Sequence, residues 1–146
     1  METFRSRWES ALAARARVVL GAVPLANSFA THCDIADAAA MQLGLKTIGF
    51  NWELLDPEAA PGEPRSALGA IAGALECDME FPQHNWLGKR QAAACAQDFI
   101  ALFGAPCTIV SNRIDGLWNP ISDARIEWAF VGFDQVRALL LLVARD

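Results

Sequence analysis

Apolar residues recur at helical spacing over the first part of the chain: Phe4, Trp8, Ala11, Leu12, Ala16 and Val19 share one side, with Arg5, Glu9 and Arg17 left for water. The pattern predicts a first helix over about Phe4 to Leu20, ended by Gly21 and Pro24. A second helix is predicted over Asp34 to Leu43, with Asp34 capping the first turn and Gly44 taking the left-handed position after the last. From Lys46 the period shortens to two. Ile48, Phe50, Trp52 and Leu54 alternate with Thr47, Gly49, Asn51 and Glu53, the pattern of a strand with one apolar and one polar face.

Pro57, Pro61, Gly62 and Pro64 then exclude regular structure from Asp56 to Arg65. Ser66 is placed to cap a helix carrying Leu68, Ile71, Ala72, Leu75 and Met79 on one side, and Gly69 and Gly73 form a small stripe suited to close backbone packing. The next helix turns Ala92, Cys95, Ala96, Phe99 and Phe103 inward and Lys89, Arg90, Gln97 and Asp98 outward, and Gly104 and Pro106 stop it. Three strands follow, Cys107 to Arg113, Arg125 to Phe133 and Val136 to Arg145, with the short spacer Phe133-Asp134-Gln135 favouring a hairpin. Both alternating sets of the last strand are apolar, so both of its faces are expected to be covered inside the sheet.

Helices segregated onto an antiparallel sheet define an α+β fold, here helices packed on a curved antiparallel sheet whose last three strands form a C-terminal meander. The element order is similar to that of cone-shaped cystatin-like (nuclear-transport-factor-2-like) domains. The similarity is one of architecture without a shared residue motif, and those domains seldom place two helices between the first strand and the meander.

Composition adds constraints. A chain of 146 residues is expected to form one domain, residues 1–146. With 53% apolar and 20% charged residues it is too apolar for disorder and short of polar surface, which predicts a homodimer. Net charge −5 opposes binding to nucleic acid. The apolar runs Val18 to Ala26 and Ala138 to Ala144 are too short to span a bilayer. The first thirty residues imitate a secretory signal, with Ser28-Phe29-Ala30 as a small-residue site, but Glu9 and the spread of arginines make the segment amphipathic, and it is expected to be retained. Cys33, Cys77, Cys95 and Cys107 show no CxxC spacing, so reduced thiols and a cytoplasmic setting are expected.

Candidate chemistry is sparse. His32-Cys33-Asp34 contains the residue types of an activated thiol, yet neighbours on an extended chain point apart. His32, Cys33, Cys77, Asp78, Glu80 and His84 are ligand types without a metal-site spacing, and neither a metal nor a cofactor is expected. Alternation places Asn51 with Glu53, Ser111 with Arg113 and Arg125 with Glu127 on polar strand faces. Such faces are either solvated or the floor of a cleft. In a cleft, Asn51, Trp52, Arg113, Trp118, Arg125 and Trp128 would bind a ligand, and Glu53, Glu127 or His84 would be the catalytic candidates. Two functions are weighed: a homodimeric binding or accessory domain with a pocket for a small apolar ligand, and a small cofactor-independent isomerase or hydrolase using a pocket carboxylate as general base. The binding domain is preferred.

Overall fold

The computed structural model describes residues 1–25, 31–114 and 117–146; the Ser28-Phe29-Ala30 site lies outside them. Its main elements are helices α1 (Glu2–Ala13), α2 (His32–Gln42), α3 (Ala67–Glu76) and α4 (Gly88–Ile100), and strands β1 (Arg17–Pro24), β2 (Glu53–Leu55), β3 (Thr108–Ser111), β4 (Arg113–Ile114), β5 (Leu117–Trp118), β6 (Ile126–Phe133) and β7 (Arg137–Arg145). An antiparallel sheet runs in the order β1-β7-β6-β3-β2, and β4 with β5 forms a separate two-stranded ribbon. The fold is α+β, and β3, β6 and β7 make the C-terminal meander.

The first helix is shorter than its pattern. Phe4, Trp8 and Leu12 are buried, but α1 stops at Ala13, and Arg17 to Leu20 belong to β1 instead of the helix. Eight register positions with β7, from Arg17 opposite Ala144 to Pro24 opposite Arg137, outweigh a marginal amphipathic continuation through β-branched valines. Gly21 therefore lies within a strand, where a Cβ would meet the Leu43 side chain. Pro24 ends that strand rather than a helix.

α2 starts two residues earlier than expected, and Thr31 is its cap. The Thr31 hydroxyl accepts a hydrogen bond from the Asp34 amide at 3.1 Å, while the Asp34 carboxylate accepts from the Thr31 amide at 3.2 Å, a reciprocal capping box. Gly44 follows the helix in the left-handed region at φ 76°.

The predicted strand from Lys46 shrinks to β2, preceded by a 3-10 turn over Gly49–Asn51. The cause is Asp37 on α2, whose carboxylate accepts from the amides of Ile48 and Gly49, both at 2.9 Å, and from Trp52 Nε1 at 2.8 Å. Three bonds to one carboxylate, with Gly49 at φ 60°, fold the segment back. The apolar row is broken as a result: Trp52 is buried, and Phe50 is 91% exposed.

β7 carries the core on both faces. Leu139, Leu141 and Val143 pack with α1, α3 and α4; Ala138, Leu140, Leu142 and Ala144 pack with α2 and Trp52. In a cone the sheet wraps one helical layer, whereas here α2 gives the opposite face a cover of its own. The larger core centres on Phe99 of α4, whose ring meets those of Phe4 and Phe103 edge-on at 5.9 and 5.6 Å.

The ends of the sheet are tied by Asp78, in the segment after α3. Its carboxylate is buried and accepts from the amides of Glu80 and Phe81 at 2.9 and 3.0 Å, from Arg145 at 2.6 Å and from Arg15 at 3.2 Å. Burial alone would raise its pKa, but these donors prevail and hold it at about 2. Glu80 extends the network to Arg125 at 2.6 Å and Arg145 at 3.6 Å.

A candidate ligand cleft beside α3

A cleft of about 700 Å³ lies between the small-residue side of α3, the loop before it and the β4–β6 region. Gly69, Ala70, Gly73 and Ala74 form one wall, and Arg113, Ile114 and Trp128 form the other. The expected close packing at Gly69 and Gly73 is absent: a Cβ on Gly73 would meet nothing within 4 Å, and on Gly69 its nearest neighbour would be Ser66 at 3.5 Å. Gly73 faces open space, whereas Gly69 also lies 3.6 Å from the Gly62 backbone, measured from the same added Cβ.

Arg113 is the one charged side chain of the β4–β6 wall. Its guanidinium carbon lies 4.1 Å from the Trp128 ring centroid and 5.8 Å from that of Trp118, its partner across the β4–β5 ribbon. Trp128 is backed in turn by Phe130, stacked at 5.8 Å. Arg113 Nη1 donates to the Glu127 carbonyl at 3.2 Å. Nε is screened from water and has no hydrogen-bond partner, and no carboxylate reaches the guanidinium within 4 Å, both among the described residues. Burial pushes the Arg113 pKa down, and the Glu127 carboxylate opposes the shift.

The platform beneath is built on the strand alternation. Trp128 and Phe130 face the cleft-side core, so Glu127 and Ala129 face the other side. There the Glu127 carboxylate, fully buried, accepts from Asn112 Nδ2 at 2.9 Å, the Ile121 amide at 2.9 Å, and both the amide and the hydroxyl of Ser122. Asn112 Oδ1 accepts from the Ala129 amide at 2.8 Å, completing a network that pins the segment before β6. This occupancy, and a position across the sheet from the cleft, set Glu127 apart from a pocket base.

Of the six ligand-binding candidates, the structure brings together Arg113, Trp118 and Trp128. Asn51 lies exposed in the 3-10 turn, Trp52 is buried under α2, and Arg125 is ion-paired with Glu80. Glu53 pairs with Arg65 at 3.4 Å, and His84 is exposed in the connection between α3 and α4, against Phe81. The metal-ligand types are also divided, Cys33 packing with the α2 layer while Asp78 is committed to its arginines. Sequence reasoning missed Arg65, which lines the cleft, donates to the Leu54 carbonyl at 2.7 Å and holds a left-handed backbone at φ 59°. Its only signal was its position at the end of the proline-rich loop.

Scans against protein-family models, curated proteins and solved structures each found no match for the chain.

Proposed function

We propose that the chain is a binding domain whose cleft takes a small, largely apolar ligand carrying a carboxylate or similar anionic group. The observation that carries this reading is Arg113, a half-buried cation on Trp128 that lacks a carboxylate partner among the described residues. An isolated charge withdrawn from water costs several kcal/mol, and stacking on an indole recovers about 1–2 kcal/mol of that. A carboxylate accepting from Arg113 Nη2, the nitrogen left open beside the screened Nε and the committed Nη1, would supply a counter-charge at hydrogen-bond distance. The small apolar residues of α3 suit the body of such a ligand. The enzyme alternative, with a pocket carboxylate as base, draws less from the same geometry, because Glu127 faces away, Glu53 is ion-paired and His84 lies outside the cleft.

Calorimetric titration with octanoate and with octanol tests the reading. Saturable octanoate binding is expected, at least about tenfold weaker in Arg113→Gln, with octanol weaker than octanoate in the native chain. Equal affinity for the acid and the alcohol would remove Arg113 from recognition. The homodimer belongs to the same proposal: Leu117 and Val136 are 76% and 73% exposed, apolar area that a second copy would cover. Sedimentation showing only monomer at micromolar concentration counts against it. The four free thiols support placing the protein in the reducing cytoplasm.

A further inference from the structure

The open glycines of α3 connect the cleft to a second space. A groove of about 340 Å³ between α3 and α4 is lined by Leu68, Ala72 and Ala93, with the exposed Lys89 and Gln97 also bordering it. It shares Gly62, Gly69 and Gly73 with the Arg113 cleft, so the two spaces meet along these glycines. Gly62 is explained by its own backbone, at φ 96°. Gly69 and Gly73 are not: both lie inside a ten-residue helix and neither has a positive φ; a Cβ on Gly69 would touch Ser66 and the Gly62 backbone, and one on Gly73 would meet nothing within 4 Å. A helix-interior glycine is unfavourable relative to alanine, and the missing methyl at Gly73 keeps the surface of α3 clear between the two spaces.

Resting on the ligand reading above, we infer that the ligand is an elongated, unbranched amphipathic anion, a long-chain carboxylate with its head at Arg113 and its tail crossing α3 at Gly73 into the α3–α4 groove. The two observations are independent. The cation with no carboxylate within 4 Å among the described residues fixes where the head goes, and the glycine surface between the two spaces sets the shape of the tail. A compact ligand would need the first and make no use of the second.

The test compares octanoate, dodecanoate and hexadecanoate, each below its micelle concentration, on the native chain, Gly73→Ala and Gly73→Leu. Each buried methylene tightens binding about two- to fourfold. The native chain should therefore hold dodecanoate at least about tenfold more tightly than octanoate. Gly73→Leu places its side chain in open space on an exposed helix position, so the melting temperature should hold or rise while the chain-length dependence flattens. Gly73→Ala should flatten it less. Octanoate binding that depends on Arg113 but shows no gain with length, or the same gain in Gly73→Leu, overturns the tail path and leaves the ligand reading intact. Failure of every carboxylate to bind overturns both.

Discussion

Replacing Asp78 with asparagine is the most exacting probe of how the sheet ends are held. The carboxylate has an ordinary pKa of 3.8 and is held at about 2 in the folded chain. At roughly 1.4 kcal/mol per pKa unit, that depression corresponds to about 2.5 kcal/mol. Arg15 and Arg145 are 39% and 29% exposed at the side chain, so water screens both pairs and about 2 kcal/mol is the better expectation. Asp78→Asn removes the charge, keeps the shape and leaves Arg15 without its carboxylate and Arg145 with Glu80 alone. Because the folded pKa lies below the unfolded one, the stabilisation is fully present above pH 3.8 and is lost as pH falls toward 2. Asp134, lowered by the amides of Gly104 and Val136, titrates in the same acid range in both proteins. The difference between native and variant therefore isolates Asp78. Urea denaturation at pH 7, 5, 3 and 2 should show a gap of about 2 kcal/mol at the two higher values, narrowing to well below 1 kcal/mol at the lowest. A gap that stays constant across this range, or one under about 0.5 kcal/mol at pH 7, would refute the assignment of Asp78 as a charged tie.

Three further outcomes are expected. Phe99→Ala, emptying the aromatic centre of the larger core, should cost about 3–5 kcal/mol in thermal melts, and a loss below about 1 kcal/mol would mean that the core closes over the space. Gly132→Ala should destabilise, since its Cβ would strike the Phe103 ring and lie 2.9 Å from Ile109 Cδ1; a melting temperature at or above that of the native chain contradicts this packing. All four cysteines should titrate as free thiols in unreduced, denatured protein. In the native chain Cys95, which burial pushes up to about 12, and Cys33, also raised by burial, should react slowly with an alkylating agent, and a fast Cys33 would speak for an activated nucleophile.

What the sequence revealed and what it hid divides by where the deciding interaction comes from. α4 was legible because its apolar stripe through Cys95 and Phe99 is bounded by Gly104 and Pro106, all local signals. β7 was legible because two apolar rows in one strand allow little besides burial on both faces. Val18 to Val23 suits a helix face or a strand equally, and only pairing with β7, far along the chain, decides. Likewise the alternation from Ile48 to Leu54 is defeated by Asp37, which belongs to another element. In the cleft, alternation drew attention to Arg113, but it reports a face and not what covers it. Glu127 bears the same polar signature, yet is enclosed by Asn112, Ile121 and Ser122. A glycine pair four residues apart reads identically whether a helix or a void lies opposite, which is why Gly69 and Gly73 suggested packing.

The register of β1 against β7 has a kinetic consequence. Partners such as Arg17 and Ala144 are well over a hundred residues apart in sequence, and β7 is also the strand that joins β1 to β6. Closing so long a loop must precede any gain from the pairing, which places this sheet among slowly assembling topologies. Until β7 docks, Val18 to Val23 has no strand beside it, and the N-terminal helix and strand cannot form a stable unit alone. Refolding should then be governed by the arrival of the last strand, and an incomplete chain would expose the β1 edge to other chains, the situation in which unpaired strands aggregate.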